Sequence, residues 1–134
     1  MNKKIFLGSL FGAAAYLIQG WLVWSSPYKD LASQYFNPAS AKQEDMGLMM
    51  AGSLIIGFLY TYILSNWKGI ITFKTGAFTG AVIFLLTGLA YDVFTYATTT
   101  LFNSIAFLWV SAAASIVAGV SVGGVVGWWL GRKI

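Results

Sequence analysis

The 134-residue sequence has no cysteine, no histidine and only four acidic residues. Without cysteine there is no disulfide framework, no thiol nucleophile and no cysteine-ligated iron–sulfur site. Without histidine the commonest metal ligand and the usual general base are missing. No metal site and no cofactor is therefore expected. Charge of either sign is scarce. Charged residues make up 9% of the chain and hydrophobic residues 58%, against roughly 25% charged in soluble domains. Too little polar surface remains to coat a soluble globule, and the length suits a single domain over residues 1–134.

What the sequence does hold is apolar stretches in four blocks. A helix needs about 20 residues to cross about 30 Å of hydrocarbon, and the stretches 5–24, 46–66, 76–97 and 104–130 all qualify. Lys3 and Lys4 ahead of an apolar run containing Ala13-Ala14-Ala15 resemble a signal peptide, but the run continues through Trp24, so a retained helix is expected. The fold expected is an all-α integral membrane four-helix bundle. Six of the eight Lys and Arg residues fall on one side of it: Lys3, Lys4, Lys68, Lys74, Arg132 and Lys133. Lys29 and Lys42 fall on the other, against Asp30, Glu44 and Asp45. Positive charge collects in cytoplasmic loops, so both termini are expected in the cytoplasm and the residue 25–45 loop outside. Trp21 and Trp24 at the outer end, with Trp67, Trp128 and Trp129 at the inner end, match the aromatic belts of membrane interfaces. The net charge of +4 thus reads as orientation in a lipid bilayer, and no nucleic-acid partner is expected.

In the outer loop, Tyr28, Leu31, Ala32, Tyr35 and Phe36 recur at helical spacing between Pro27 and Pro38. This pattern predicts a short helix lying on the membrane surface. Ser40 and Gln43 have capping-box spacing, and Glu44 and Asp45 suit the start of the second span.

Small residues recur every four positions. The last span carries Ser111, Ser115, Gly119, Gly123 and Gly127; the first carries Gly8, Gly12 and Gly20; the third carries Gly76, Gly80 and Gly88. Lipid gives helices no hydrophobic reason to associate, so such rows act by letting backbones approach. Their expected role is packing within one bundle. The length of the row in the last span leaves a homo-oligomer, or a larger membrane complex, as the alternative use. The first and third spans also match at an offset of 68 residues, pairing Gly8, Gly12 and Gly20 with Gly76, Gly80 and Gly88. The second and fourth match less closely, through Ile55-Ile56-Gly57-Phe58 and Val125-Val126-Gly127-Trp128. Two tandem parallel helical hairpins are the expectation that follows. Trp24 then stands in the first hairpin where Asp92 stands in the second.

Asp92 is the only charged residue between Lys74 and Arg132. An acid at the centre of a membrane helix costs about 2.5–3.5 kcal/mol on insertion scales. Asp92 lies in the outer third of its span, where that cost is smaller. No intramembrane cation is available to it. Gln19, Tyr91, Tyr96, Asn103 and Trp109 form the candidate polar cluster around it, with Ser111 at similar depth. The plainer expectation is an acid hydrogen-bonded to Tyr, Ser or Gln, holding helices together. The sharper one is a proton- or cation-coupling site. A third is a lipid or quinone groove lined by Trp21, Trp24, Tyr91, Tyr96 and Trp109.

Met1-Asn2-Lys3-Lys4, Gly20-Trp21, the Tyr91-Asp92…Tyr96-Ala97-Thr98 segment and the Gly127-Trp128…Leu130-Gly131 ending together resemble a group of small four-helix bacterial membrane proteins of unknown function. The resemblance spans most of the chain and implies an inner-membrane location with no established activity. Small multidrug transporters are similar in size but carry their coupling acid in the first helix, which has none here. Fluoride channels match in length alone. The functional expectation is a non-enzymatic accessory or scaffold protein, with a proton- or cation-coupled carrier or channel through Asp92 as the runner-up.

Overall fold

The structure, a computed structural model, describes residues 3–25, 28–35, 46–98 and 104–132, apart from the side chains of Trp24, Lys29 and Ala32. The described residues form five helices: α1 (Lys3–Trp24), α2 (Tyr28–Ser33), α3 (Met46–Ser65), α4 (Phe73–Thr98) and α5 (Phe107–Leu130). All but α2 are long and apolar enough to cross a membrane. The short α2 occupies part of the stretch expected to lie on the surface. Phe36, Pro38, Ser40, Gln43, Glu44 and Asp45 lie outside the described residues, and with them the expected capping box.

Two spans begin elsewhere than the apolar pattern predicts. α4 starts at Phe73 because Thr72 and Thr75 cap it reciprocally. The Thr75 N–H donates to the Thr72 hydroxyl at 3.1 Å, and the Thr72 N–H donates to the Thr75 hydroxyl at 3.2 Å. This is capping-box geometry, with Thr in place of the usual Glu or Gln. Lys74 therefore belongs to the first turn of α4 and not to the connecting loop. α5 starts at Phe107, because Ser104 turns the chain and accepts the Ala106 N–H at 3.2 Å.

Consecutive spans pack antiparallel, and α3 and α5 run in the same direction. α1 pairs with α3 and α4 pairs with α5, and α5 also packs against α1, α3 and α2. α5 is thus the central helix, and α4 leans chiefly on it. Glycine sets how closely they approach. A Cβ added at Gly80 would stand 2.8 Å from the Gly123 Cα, and one at Gly127 would stand 2.8 Å from the Gly76 Cα. Any side chain there forces the two backbones apart. Gly88 continues the seam against Ser115. In the other hairpin Gly57 sits on Ser9 and Ala13, and Gly12 on Gly57. The row running from Ser111 to Gly127 meets α4 and the Thr72 turn before it, from Asp92 at one end to Gly76 at the other. Gly20 departs from the expected pattern: nothing lies within 4 Å of a Cβ placed on it. It faces the open space of a cavity.

The core gathers toward the end of the bundle that holds both termini. Leu64, Val122 and Val126 are fully buried there, beside Tyr60 and Ile70. Lys4 Nζ donates to the Arg132 carbonyl at 2.8 Å and Trp129 Nε1 to the Lys4 carbonyl at 2.9 Å, tying the two terminal segments together. The opposite end carries α2 and is more loosely filled.

Candidate functional site

The α1, α3 and α5 helices do not close on one another at the α2 end. Between them lies a cavity of about 970 Å³, at the upper end of the roughly 300–1,000 Å³ usual for ligand pockets. From Phe107 at its mouth to Ala118 at its depth it follows eleven residues of α5, about 16 Å at 1.5 Å per residue. That is half the thickness of a hydrocarbon core. Its lower end is stopped by stacked rings. Tyr60 and Phe84 lie 4.3 Å apart at 10° between planes, and Tyr16 stacks on Phe84 at 6.2 Å. Below them stand the fully buried Leu64, Val122 and Val126. These rings bound the cavity toward the terminal end of the bundle.

Its walls are chiefly apolar and adaptable. Met46, Met49 and Met50 line one side and Leu17, Trp21 and Val23 another. Methionine's unbranched thioether suits a surface that must fit varied apolar shapes. Gly20 and Gly52 also face the cavity, and a Cβ on either would meet open space. The polar lining residues mostly bond internally. Ser25 donates to the Trp21 carbonyl at 2.6 Å, Ser53 to Met49 at 2.9 Å and Gln19 to Tyr16 at 3.0 Å. About thirty waters would fit at about 30 Å³ each, against walls that offer them few free partners.

Asp92 stands just outside this cavity, in the seam between α4 and α5. It is 7% exposed, and the Ser111 hydroxyl donates to its Oδ2. Ser111 itself lines the cavity, so one hydroxyl separates the carboxylate from the open space. Tyr28 of α2 is the nearby third member. Its hydroxyl donates to the Val110 carbonyl at 2.8 Å. Burial, and then the negative charge of Asp92, push that hydroxyl above the ordinary tyrosine range. Tyr35, in the turn after α2, meets Phe107 with ring centroids 6.1 Å apart, so the α2 segment is pinned over the start of α5.

The expected cluster is brought together only in part. Asp92 and Ser111 meet. Gln19 lies in the cavity wall, bonded to its own helix. Tyr91 is 69% exposed, Trp109 82% and Tyr96 39%. Neither Tyr91, Tyr96 nor Trp109 lines the cavity. The reason is helical phase: Tyr91 is about 100° around α4 from Asp92, and Trp109 about 200° around α5 from Ser111. The expected aromatic groove accordingly keeps Trp21 and loses Tyr91, Tyr96 and Trp109. Asn103 lies outside the described residues, as do the side chains of Lys29 and Lys42. Sequence reasoning passed over Tyr28 as a partner of the Asp92 region, and the lining residues Tyr16, Phe84, Phe107 and Met46, Met49 and Met50. The spacing of those methionines, at i, i+3 and i+4, was the available signal for one shared face. No family model, curated protein or solved structure matches the chain.

Proposed function

We propose that the chain is a small non-enzymatic membrane protein, an accessory component of the bacterial inner membrane, whose working site is the α1–α3–α5 cavity. The cavity holds the apolar part of a lipid or quinone-like molecule. The observation that carries this reading is a cavity of about 970 Å³ with chiefly apolar walls, in which Ser25, Ser53 and Gln19 donate to nearby backbone carbonyls. Such walls reward an apolar occupant and offer little to a hydrated ion. Extraction of the purified protein with organic solvent, followed by mass spectrometry, tests it. A single lipid or quinone class near one per chain is expected; only detergent and bulk lipid in membrane proportions would contradict it.

The orientation belongs to the same proposal. With Lys3, Lys4, Lys68, Lys74 and Arg132 at the terminal end, the positive-inside rule puts both termini in the cytoplasm and the cavity mouth on the outer side. The tandem repeat is supported by the pairing of α1 with α3 and α4 with α5, and by Gly8 and Gly12 doing in α1 what Gly76 and Gly80 do in α4. The partner helices are registered differently. Gly57 sits on Ser9 and Ala13, whereas Gly127 sits on Thr72 and Gly76. Taking 68 from the latter pair gives Lys4 and Gly8, about one turn away. The repeat is therefore proposed for α1 and α4 and not extended residue by residue to α3 and α5.

One observation favours a second reading, a proton- or cation-coupled carrier: Ser111 touches Asp92 on one side and the cavity on the other. Asp92→Asn in liposomes separates the two. The carrier reading requires loss of a pH-dependent flux with the fold intact. The lipid-binding reading requires that no such flux exists and that ligand retention is unchanged.

A further inference from the structure

The terminal end of the bundle holds a second cavity, of about 530 Å³, unrelated to the one above. It is bounded by the start of α1, the end of α3, the turn that follows α3 and the end of α5. Lys4 and Lys68 line it beside Asn66 and Trp67, and Ile5, Ile71 and Leu130 contribute apolar surface. The turn is tight: Gly69 has φ +90°, and the Ile70 N–H donates to the Trp67 carbonyl at 3.5 Å. This is where a type II turn requires glycine, and the turn carries Lys68 at the cavity edge.

The electrostatics here are one-sided. Lys4 is held in place, since its ammonium donates to the Arg132 carbonyl and its own carbonyl accepts from Trp129. Two of its ammonium protons remain for another acceptor. The Arg132 guanidinium lies 4.2 Å from the centre of the Trp128 ring, adding a third cation at this end. The four acidic residues of the chain are Asp30, Glu44, Asp45 and Asp92. Asp30 and Asp92 stand at the α2 end, and Glu44 and Asp45 lie outside the described residues. Among the described residues no carboxylate neutralises the cations around this cavity.

We propose that this cavity binds the phosphate of an anionic glycerophospholipid. Lys4 and Lys68 meet the phosphate, and Trp67, 56% exposed, sits at headgroup level, as interfacial tryptophans do. Ile5, Ile71 and Leu130 receive the first part of the acyl chains. A free phosphate gains nothing from those three residues, which is why the lipid is the occupant. Among the described residues no carboxylate stands here to receive the ammonium of a zwitterionic headgroup, which is why the lipid is anionic. Basic pockets between membrane helices are known to hold anionic headgroups. The inference rests on the charge and shape of this end alone and stands whether or not the larger cavity holds a ligand.

Native mass spectrometry of the full chain, released from bilayers of equal phosphatidylglycerol and phosphatidylcholine, tests it. Retention of phosphatidylglycerol over phosphatidylcholine is expected. Lys68→Gln lowers that preference about fivefold, and Lys4→Gln with Lys68→Gln about 30-fold, from the usual contribution of a cation near an anionic surface. Lys74→Gln, at the same end but outside the cavity, leaves the preference unchanged. Lys68 is exposed in the turn after α3, so the single variant decides the matter even if the Lys4 substitution unfolds the protein. Equal retention of the two lipids overturns the proposal, as does an equal effect of Lys74→Gln. Displacement of phosphatidylglycerol by millimolar inorganic phosphate assigns the site to a free anion and overturns it too.

Discussion

Asp92 shows what a single side chain can be made to do in this bundle. Its carboxylate is buried between α4 and α5, and the Ser111 hydroxyl is the donor that meets it. Removing that donor leaves a buried acceptor without its partner, which costs about 1–3 kcal/mol. Ser111→Ala is therefore expected to lower the melting temperature in detergent clearly. Asp92→Asn is expected to lower it less, since an amide oxygen still accepts from the hydroxyl. Equal losses would mean that the bond does not hold the seam. Tyr28 makes a pH prediction. Its hydroxyl is raised above the ordinary range by burial and by Asp92. A raised folded value stabilises fully below the unfolded pKa of about 10 and is lost as pH climbs through the folded value. Loss of stability is expected above about pH 10, and part of that loss should vanish in Tyr28→Phe, read from melting curves against pH. That Asp92 would be structurally engaged was legible from its isolation in apolar sequence. Its partner was legible only as one of several residues at similar depth, because depth in a span says nothing of phase around the helix. The exposure of Tyr91 and Trp109 is the consequence.

The element that glycine controls most tightly is α4. It leans chiefly on α5, and Gly76, Gly80, Gly119, Gly123 and Gly127 allow the two backbones to meet. Gly80→Leu is expected to destabilise by at least the 1–3 kcal/mol typical of overpacking, because the obstructing atoms are backbone and cannot turn aside. Gly20→Ala is the matched control: it sits on a row of the same kind but faces open space, so no loss is expected, and a slight gain from helix propensity is. Spin labels on cysteines placed in α4 and α5 would read the separation directly, and the absence of native cysteine keeps such labelling clean. The seam was readable because a spacing of four is a sequence pattern with one physical meaning in lipid. Gly20 was misplaced by the same pattern, since a row cannot say where the neighbouring helix stops. The early start of α4 was hidden as well. Thr72 and Thr75 replace the acidic or amide residue that usually announces a capping box.

At the scale of the whole molecule the four spans followed directly from length and apolar composition. The cavity did not, because it is a gap left where three helices diverge and no residue encodes a gap. Its nearest trace in the sequence is Gly52 together with Met46, Met49 and Met50, a set that lacks side-chain bulk or offers adaptable bulk. The orientation is expected to place fluorescent-protein fusions at either terminus in the cytoplasm; fluorescence from neither would reverse it. The central claim is that the cavity holds a lipid-like molecule, and Gly52→Phe tests it most directly. The new ring enters space that nothing occupies, so the fold and its melting temperature should be kept. Native mass spectrometry of the intact protein is expected to show one apolar adduct on the natural chain and none on Gly52→Phe. The same adduct on both, or on neither, would contradict the account.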